Sequence, residues 1–151
     1  MKSLKESLFD DDLVAKDSYL YHPKSKRELI DCIKKELDRQ GPDADLNLID
    51  VSGVDNMDTL FYGLGPKNID ISLWDVSNVI NMNAMFFRCF DFNCDLSKWD
   101  VSNVINMDCM FYKCKKFNSD LSKWDVSKVR YMDRMFVGCV GLKKIPDWYR
   151  P

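Results

Sequence analysis

A repeat solenoid of the α/β class is the fold this sequence predicts, and three observations predict it. The tetrapeptide Trp-Asp-Val-Ser recurs at 74–77, 99–102 and 124–127, a period of 25 residues, and a fixed period between about 20 and 50 residues is the signature of stacked repeats. Whole columns align around it: Ile71, Leu96, Leu121; Trp74, Trp99, Trp124; Val76, Val101, Val126; Val79, Val104, Val129; Met82, Met107, Met132; Met85, Met110, Met135; Phe86, Phe111, Phe136; and Cys89, Cys114, Cys139. A degenerate copy lies upstream, with Leu46, Asp50, Val51, Ser52, Val54, Met57, Leu60, Phe61 and Leu64 in register and Ile49 in the Trp position. Ile145 and Trp148 begin a further, uncompleted copy.

The elements of one copy follow from its spacing. Trp74-Asp75-Val76 alternates apolar and polar, which predicts a very short strand with Trp and Val inward and Asp75 outward. Val79, Met82, Met85, Phe86 and Cys89 recur at helical spacing, with Ser77 as N-cap, which predicts a short helix or 3₁₀ segment. Strand, turn, short helix and return loop in one such unit describe a short leucine-rich-repeat horseshoe of about four rungs with a parallel sheet on its concave side. The rungs fall at about 42–66, 67–91, 92–116 and 117–141, within a solenoid spanning 42–145 and followed by a tail, 146–151.

Residues 1–41 do not repeat and are read as a helical N-terminal cap segment. Ser25-Lys26-Arg27-Glu28 is a capping box; Leu29, Ile30, Ile33 and Leu37 share one face; and Gly41-Pro42 is a stop. The predicted helix covers 26–40, and its apolar stripe closes the open end of the core, as terminal repeats require. Leu4, Leu8, Leu13 and Tyr19-Leu20-Tyr21 make residues 1–24 too apolar for a free tail, so partial docking is expected.

Phe92-Asn93-Cys94-Asp95-Leu96-Ser97-Lys98-Trp99, the run Phe-Asn-Ser-Asp-Leu-Ser-Lys-Trp-Asp-Val-Ser-Lys-Val at 117–129 and the Met-x-x-Met-Phe-x-x-Cys after it resemble the BspA-like class of bacterial leucine-rich repeats, a mycoplasma lipoprotein-type repeat of unknown function. The resemblance covers about 42–145. It implies a solenoid used for protein–protein or surface contacts, without catalytic activity, and the better-known members of that class are secreted surface antigens.

Composition narrows the function. With 46% hydrophobic and 30% charged residues and a net charge of −2, the chain is that of a folded protein, not of a disordered tail or a nucleic-acid arm. Residues 1–91 carry 11 basic and 17 acidic side chains and 92–151 carry 11 and 7, a dipolar surface. No apolar run suits a membrane span, and Met1–Phe9 followed by Asp10-Asp11-Asp12 lacks the apolar core and cleavage site of a secretory signal, so a cytoplasmic location is expected.

The Trp ladder could be an aromatic platform, but burial of each indole at about 25 cal/mol per Å² favours core. Trp74, Trp99, Trp124, Val76, Val101, Val126, Met85, Met110, Met135, Phe86, Phe111, Phe136, Cys89, Cys114 and Cys139 are therefore assigned to the core, the cysteines as small buried hydrophobes. The ladders Asp50, Asp75, Asp100, Asp125 and Asp45, Asp70, Asp95, Asp120 stack like charges. Capping of turns is the favoured compensation, with an acidic binding strip or a bound cation as the alternatives. Cys89-x₄-Cys94 and Cys109-x₄-Cys114 do not persist into the next copy, and the chain has one histidine, His22, so no metal, cofactor or catalytic site is assigned and no enzyme is expected.

Function in a repeat protein is expected where the copies differ. Phe87, Phe90 and Tyr112 supply aromatic surface, and Lys98, Lys113, Lys115, Lys116, Lys123, Lys128, Arg130 and Arg134 make the second half basic. The candidate binding residues are Asp75, Asp100, Asp125, Lys98, Lys123, Phe87, Tyr112, Arg130, Tyr131 and Arg134. The sequence thus predicts a monomeric protein–protein interaction module with no small-molecule substrate. The alternatives are a building block stacking through its ends and, more weakly, nucleic-acid binding through the basic half.

Overall fold

The computed structural model describes residues 18–62 and 68–151. Leu4, Leu8 and Leu13 of the docking expectation, and Leu64 of the first copy, lie outside the described residues. The fold is a column of turns. Among the described residues it holds one α-helix, α1 (Lys26–Gln40), and pairs of backbone that meet only as isolated parallel bridges. The expected α/β repeat solenoid, a leucine-rich-repeat horseshoe of about four rungs with a parallel concave sheet, is therefore overturned, and so is the short helix within each copy.

Hydrogen bonding explains both corrections. In the copy beginning at Ile71, the N–H of Trp74 donates to Ile71 O (3.1 Å), Val79 to Val76 O (3.0 Å), Met85 to Met82 O (3.2 Å), Phe87 to Ala84 O (3.1 Å), Cys89 to Phe86 O (2.9 Å) and Phe92 to Cys89 O (3.2 Å). The chain reverses every three to five residues, so no strand outlasts one bridged position. A helix over 79–89 would need N–H groups bonded four residues back. Those of Met82, Ala84, Phe86 and Arg88 instead donate to Asn106, Asp108, Met110 and Tyr112 O of the following copy, at 2.9, 2.8, 3.0 and 2.7 Å. Ala84 (φ 50°) and Arg88 (φ 60°) are left-handed, as are Thr59, Cys109, Lys113, Arg134 and Gly138 in the same two columns. A single left-handed residue ends a helical run. The Asn56–Asn81–Asn106–Tyr131 bridges keep the 25-residue register without forming a sheet.

The assigned core residues pack inside this column. Trp74, Trp99 and Trp124 are 4–5% exposed, and their indole N–H groups donate to Leu46, Ile71 and Leu96 O at 2.9, 3.1 and 2.9 Å. Trp148 repeats the pattern on Leu121 O (2.8 Å) and stacks on Trp124 at 6.3 Å. Phe61, Phe86, Phe111 and Phe136 form a parallel file with centroids 5.4, 5.4 and 5.8 Å apart. Phe92 and Phe117, buried and absent from the sequence-assigned core, seat against Phe86 and Phe111 at 4.2 Å each. The last full copy is less covered: Val126, Val129, Met132 and Cys139 are half-buried and pack against the core.

The helix forms where the sequence places it. Ser25 Oγ accepts from Glu28 N–H (3.2 Å), Glu28 Oε2 accepts from Lys24 N–H (2.6 Å), and the left-handed Gly41 (φ 90°) donates to Leu37 O. Leu29 and Ile33 join the core. The buried Glu36 carboxylate takes bonds from Tyr21 Oη (2.8 Å), Arg39 Nη2 (2.6 Å) and Gln40 Nε2, and the Arg39 guanidinium holds its pKa below the ordinary value. Residues 20–22 run beside 48–50, with Leu20 N–H on Leu48 O and Asp50 N–H on Tyr21 O, both at 2.9 Å.

One close approach is a test of the packing. Gly141 N–H donates to Lys115 O at 2.9 Å, against 3.2 Å for the equivalent Lys116 to Phe90 O, and a Cβ at 141 would sit 2.7 Å from Lys115 O. Backbone cannot yield as a flexible side chain does, so Gly141→Ala should cost about 1–3 kcal/mol in urea unfolding. Lys116→Ala, one copy earlier, should stay within about 0.5 kcal/mol. Equal effects would show that the approach at 141 is not a constraint.

Candidate interaction surface

The Asp ladders resolve into turn chemistry. Asp70, Asp75, Asp95, Asp100, Asp120 and Asp125 each turn Oδ1 back onto the N–H of the serine two residues on, at 2.9–3.1 Å. Ser77 and Ser102 add their hydroxyls at 2.6 Å. Ser77 therefore closes an Asx turn with Asp75 in place of the expected N-cap. The Ser102 hydroxyl and N–H lower the pKa of Asp100, those of Ser127 do so for Asp125, and those of Ser97 for Asp95; the Ser122 N–H and hydroxyl lower that of Asp120. The third turn of the first three copies uses a neutral acceptor: Asn56, Asn81 and Asn106 Oδ1 take the N–H of Asp58, Asn83 and Asp108.

Two surfaces emerge from the candidate residues. Lys98 and Lys123 come together with Asp95, Asp120, Asn93 and Asn118 around a shallow cleft of about 610 Å³. Inside it, Asn118 N–H donates to Asn93 Oδ1 (2.9 Å) and Leu96 N–H to Ser119 Oγ (3.0 Å). The exposed Asp75, Asp100 and Asp125 are not part of its lining.

The second surface is built by the segment 79–90 and its copies. Ile80 N–H donates to Asp55 O, Ile105 to Ile80 O and Arg130 to Ile105 O, each at 2.8 Å, which makes one exposed row that ends in Arg130. Tyr131, 54% exposed, ends the bridged Asn row beside it. Arg134 ends the left-handed row of Thr59, Ala84 and Cys109. Next comes the aromatic row. Tyr62 meets Phe87 edge-on at 5.6 Å, and Phe87 stacks on Tyr112 at 4.8 Å with the planes 6° apart. Val137 continues the row, its carbonyl accepting from Lys113 N–H at 2.7 Å. The structure thus gathers Phe87, Tyr112, Arg130, Tyr131 and Arg134 and leaves the Asp and Lys candidates elsewhere.

Tyr62 was missed because its copy is degenerate, although it follows Phe61 as Phe87 follows Phe86. Lys113 lies against the aromatic row, and Arg88 and Lys115 lie against Phe90. Lys113 Nζ lies 5.5 Å from the Tyr112 ring centroid, while Arg88 Cζ and Lys115 Nζ lie 5.7 and 5.0 Å from that of Phe90.

The cysteines offer no exposed nucleophile in the core file. Burial pushes the Cys89 thiol up to about 12 and that of Cys139 to about 11, and raises that of Cys114 as well. Cys114 and Cys139 donate to Phe86 and Phe111 O at 2.9 and 2.8 Å. Among the described residues, no three His, Cys, Asp or Glu side chains gather as a metal-binding set. No helix there is long and apolar enough to cross a membrane.

No curated protein and no solved structure matches the chain. A family model does, over residues 34–148, from the middle of α1 to Trp148. By that match the chain belongs to the family described as "Mycoplasma protein of unknown function, DUF285".

Proposed function

We propose that this protein is a non-catalytic binding module that recognises another protein through the exposed positions at which its copies differ. The observation that carries the reading is the row of the exposed Tyr62 and the half-buried Phe87 and Tyr112, with the exposed Ile80, Ile105 and Tyr131 in the same repeated segments. A turn-built column has no need of aromatic rings on its outer side, and aromatic and aliphatic rows with cations over their rings have the composition of an interface core and rim. The likeness of the 117–129 run to BspA-like repeats supports an interaction role on the same side of the argument. The internal chemistry supports a scaffold: indole N–H groups, thiols and Asx carboxylates are all spent on holding turns.

Affinity capture from host extract tests the reading. The unmodified protein should retain a protein partner that Tyr112→Ala, Arg130→Ala and Arg134→Ala together release, while the circular dichroism of the triple variant stays unchanged. A triple variant that keeps every partner would sink the proposal.

A further inference from the structure

We infer that the surface formed by Tyr62, Phe87, Tyr112 and Phe90, with Lys113 over Tyr112 and Arg88 and Lys115 over Phe90, takes an acidic, apolar-containing extended peptide segment of a partner protein. The inference rests on the binding-module reading and specifies its ligand. Its first support is charge. Among the described residues Arg88, Lys113 and Lys115 have no carboxylate partner, in contrast to Lys116, which meets Asp91 at 3.1 Å. The three unpaired cations are instead held over rings, Lys113 on Tyr112 and both Arg88 and Lys115 on Phe90. Such contacts orient a cation without neutralising it. The left-handed backbone at Arg88 and Lys113 recurs one copy apart, which sets the two cations in neighbouring layers of the column.

The second support is the orientation of the rings. Phe87 and Tyr112 lie parallel at 4.8 Å, so each spends a face on the other and leaves its edges to a ligand, while Tyr62 stands at 70° to Phe87. Ring edges carry the positive end of the aromatic quadrupole, while ring faces carry the negative end. Edges and cations together make an electropositive apolar strip, which favours carboxylates and backbone carbonyls interleaved with aliphatic side chains. Single-stranded nucleic acid shares the negative charge but binds by stacking bases on successive open ring faces, and Phe87 and Tyr112 each have a face taken by the other, which leaves Tyr62 alone without a stacked partner among the three rings. Ile80 and Ile105, 45% and 36% exposed, supply aliphatic contact in the same segments as the rings.

Fluorescence anisotropy with three labelled probes tests this: a short peptide alternating Glu and Leu, its Lys-for-Glu twin, and an oligothymidylate. The acidic peptide should bind, more weakly as salt is raised, and the basic twin should not. The triple variant Arg88→Glu, Lys113→Glu, Lys115→Glu should weaken the acidic peptide by at least about tenfold, or roughly 1.4 kcal/mol, with an unchanged urea midpoint. Tyr112→Ala should weaken it at constant salt dependence. No binding of the acidic peptide, or equal binding after charge reversal, overturns the inference. Oligothymidylate binding as tightly as the peptide, and lost in the same variant, overturns it in favour of nucleic acid. If captured host proteins are released by the Tyr112, Arg130, Arg134 variant but retained by the charge-reversal variant, the binding-module reading stands and the acidic ligand falls.

Discussion

Replacing Phe111 by alanine should lower the unfolding free energy by about 3–5 kcal/mol, the range for emptying a buried aromatic site. Phe111 is 0% exposed and sits at the crossing of two aromatic files: Phe86 at 5.4 Å and Phe136 at 5.8 Å along the column, Phe117 at 4.2 Å and Trp124 at 6.4 Å across it. Removing the ring leaves four others facing a void that backbone pinned by inter-copy bonds cannot collapse to fill. The Phe111 N–H to Met135 O bond, at 3.0 Å, holds that backbone on one side, and Phe86 N–H to Met110 O, also 3.0 Å, on the other. Total stabilities of about 5–15 kcal/mol are usual for domains, so this single truncation removes a large share. Urea titration followed by tryptophan fluorescence checks it, with Tyr112→Ala, the adjacent row, as the comparison at about 1 kcal/mol or less. A loss below about 1 kcal/mol for Phe111→Ala would mean that the aromatic file is not the core.

The residues that pack were legible in the sequence because packing imposes the period. The copies pack a Trp or Ile, a Val pair, two Met or Leu and a Phe against their neighbours, and that demand writes like residues at 25-residue spacing whatever the backbone does between them. The helix at 26–40 was legible for a different reason, since its cap and stop are local. The backbone of the repeat was not. Apolar residues at 79, 82, 85, 86 and 89 have helical spacing, but successive three-residue turns bring the same positions inward. Periodicity alone does not separate the two. Left-handed conformations at Ala84, Arg88, Cys109, Lys113 and Arg134 carry no glycine to announce them. The short alternation at Trp74-Asp75-Val76 likewise read as strand, because a carboxylate folded back onto Ser77 N–H looks in sequence like one pointing outward.

The candidate surface was half legible. Phe87, Tyr112, Arg130, Tyr131 and Arg134 stand where the copies differ, and they lie in successive rows of one repeated segment. The Asp ladder was drawn into the same site only because a concave sheet was assumed. In the turn column Asp75, Asp100 and Asp125 belong to the corner between the Trp and Val turns, where their first duty is to accept N–H groups.

That duty makes stability fall with acid, and the sign follows from the direction of the shifts. Asp95, Asp100, Asp120 and Asp125 have folded-state pKa values below their ordinary ones, because serine N–H and hydroxyl groups favour the charged form. A depressed folded value means that the stabilisation is complete above the unfolded value, about 3.9 for Asp, and is lost as pH falls through the folded value. The melting temperature should therefore hold between pH 7 and about 5 and drop below about 4. Each exposed site is screened by water and contributes little alone, so the limb is steep only because the turn recurs in every copy. Changing all four to Asn should flatten it, since Asn keeps the Asx acceptor without the charge, as Asn81 and Asn106 do on Asn83 and Asp108 N–H. The residual slope should belong to Glu36 and Asp50, whose values are also depressed, Glu36 by Arg39 and Asp50 by Ser52 and His22 against an opposing burial effect. Circular dichroism melts across that pH range decide the matter: an acid limb as steep in the four-Asn variant as in the unmodified protein would place the acid sensitivity outside the Asx turns.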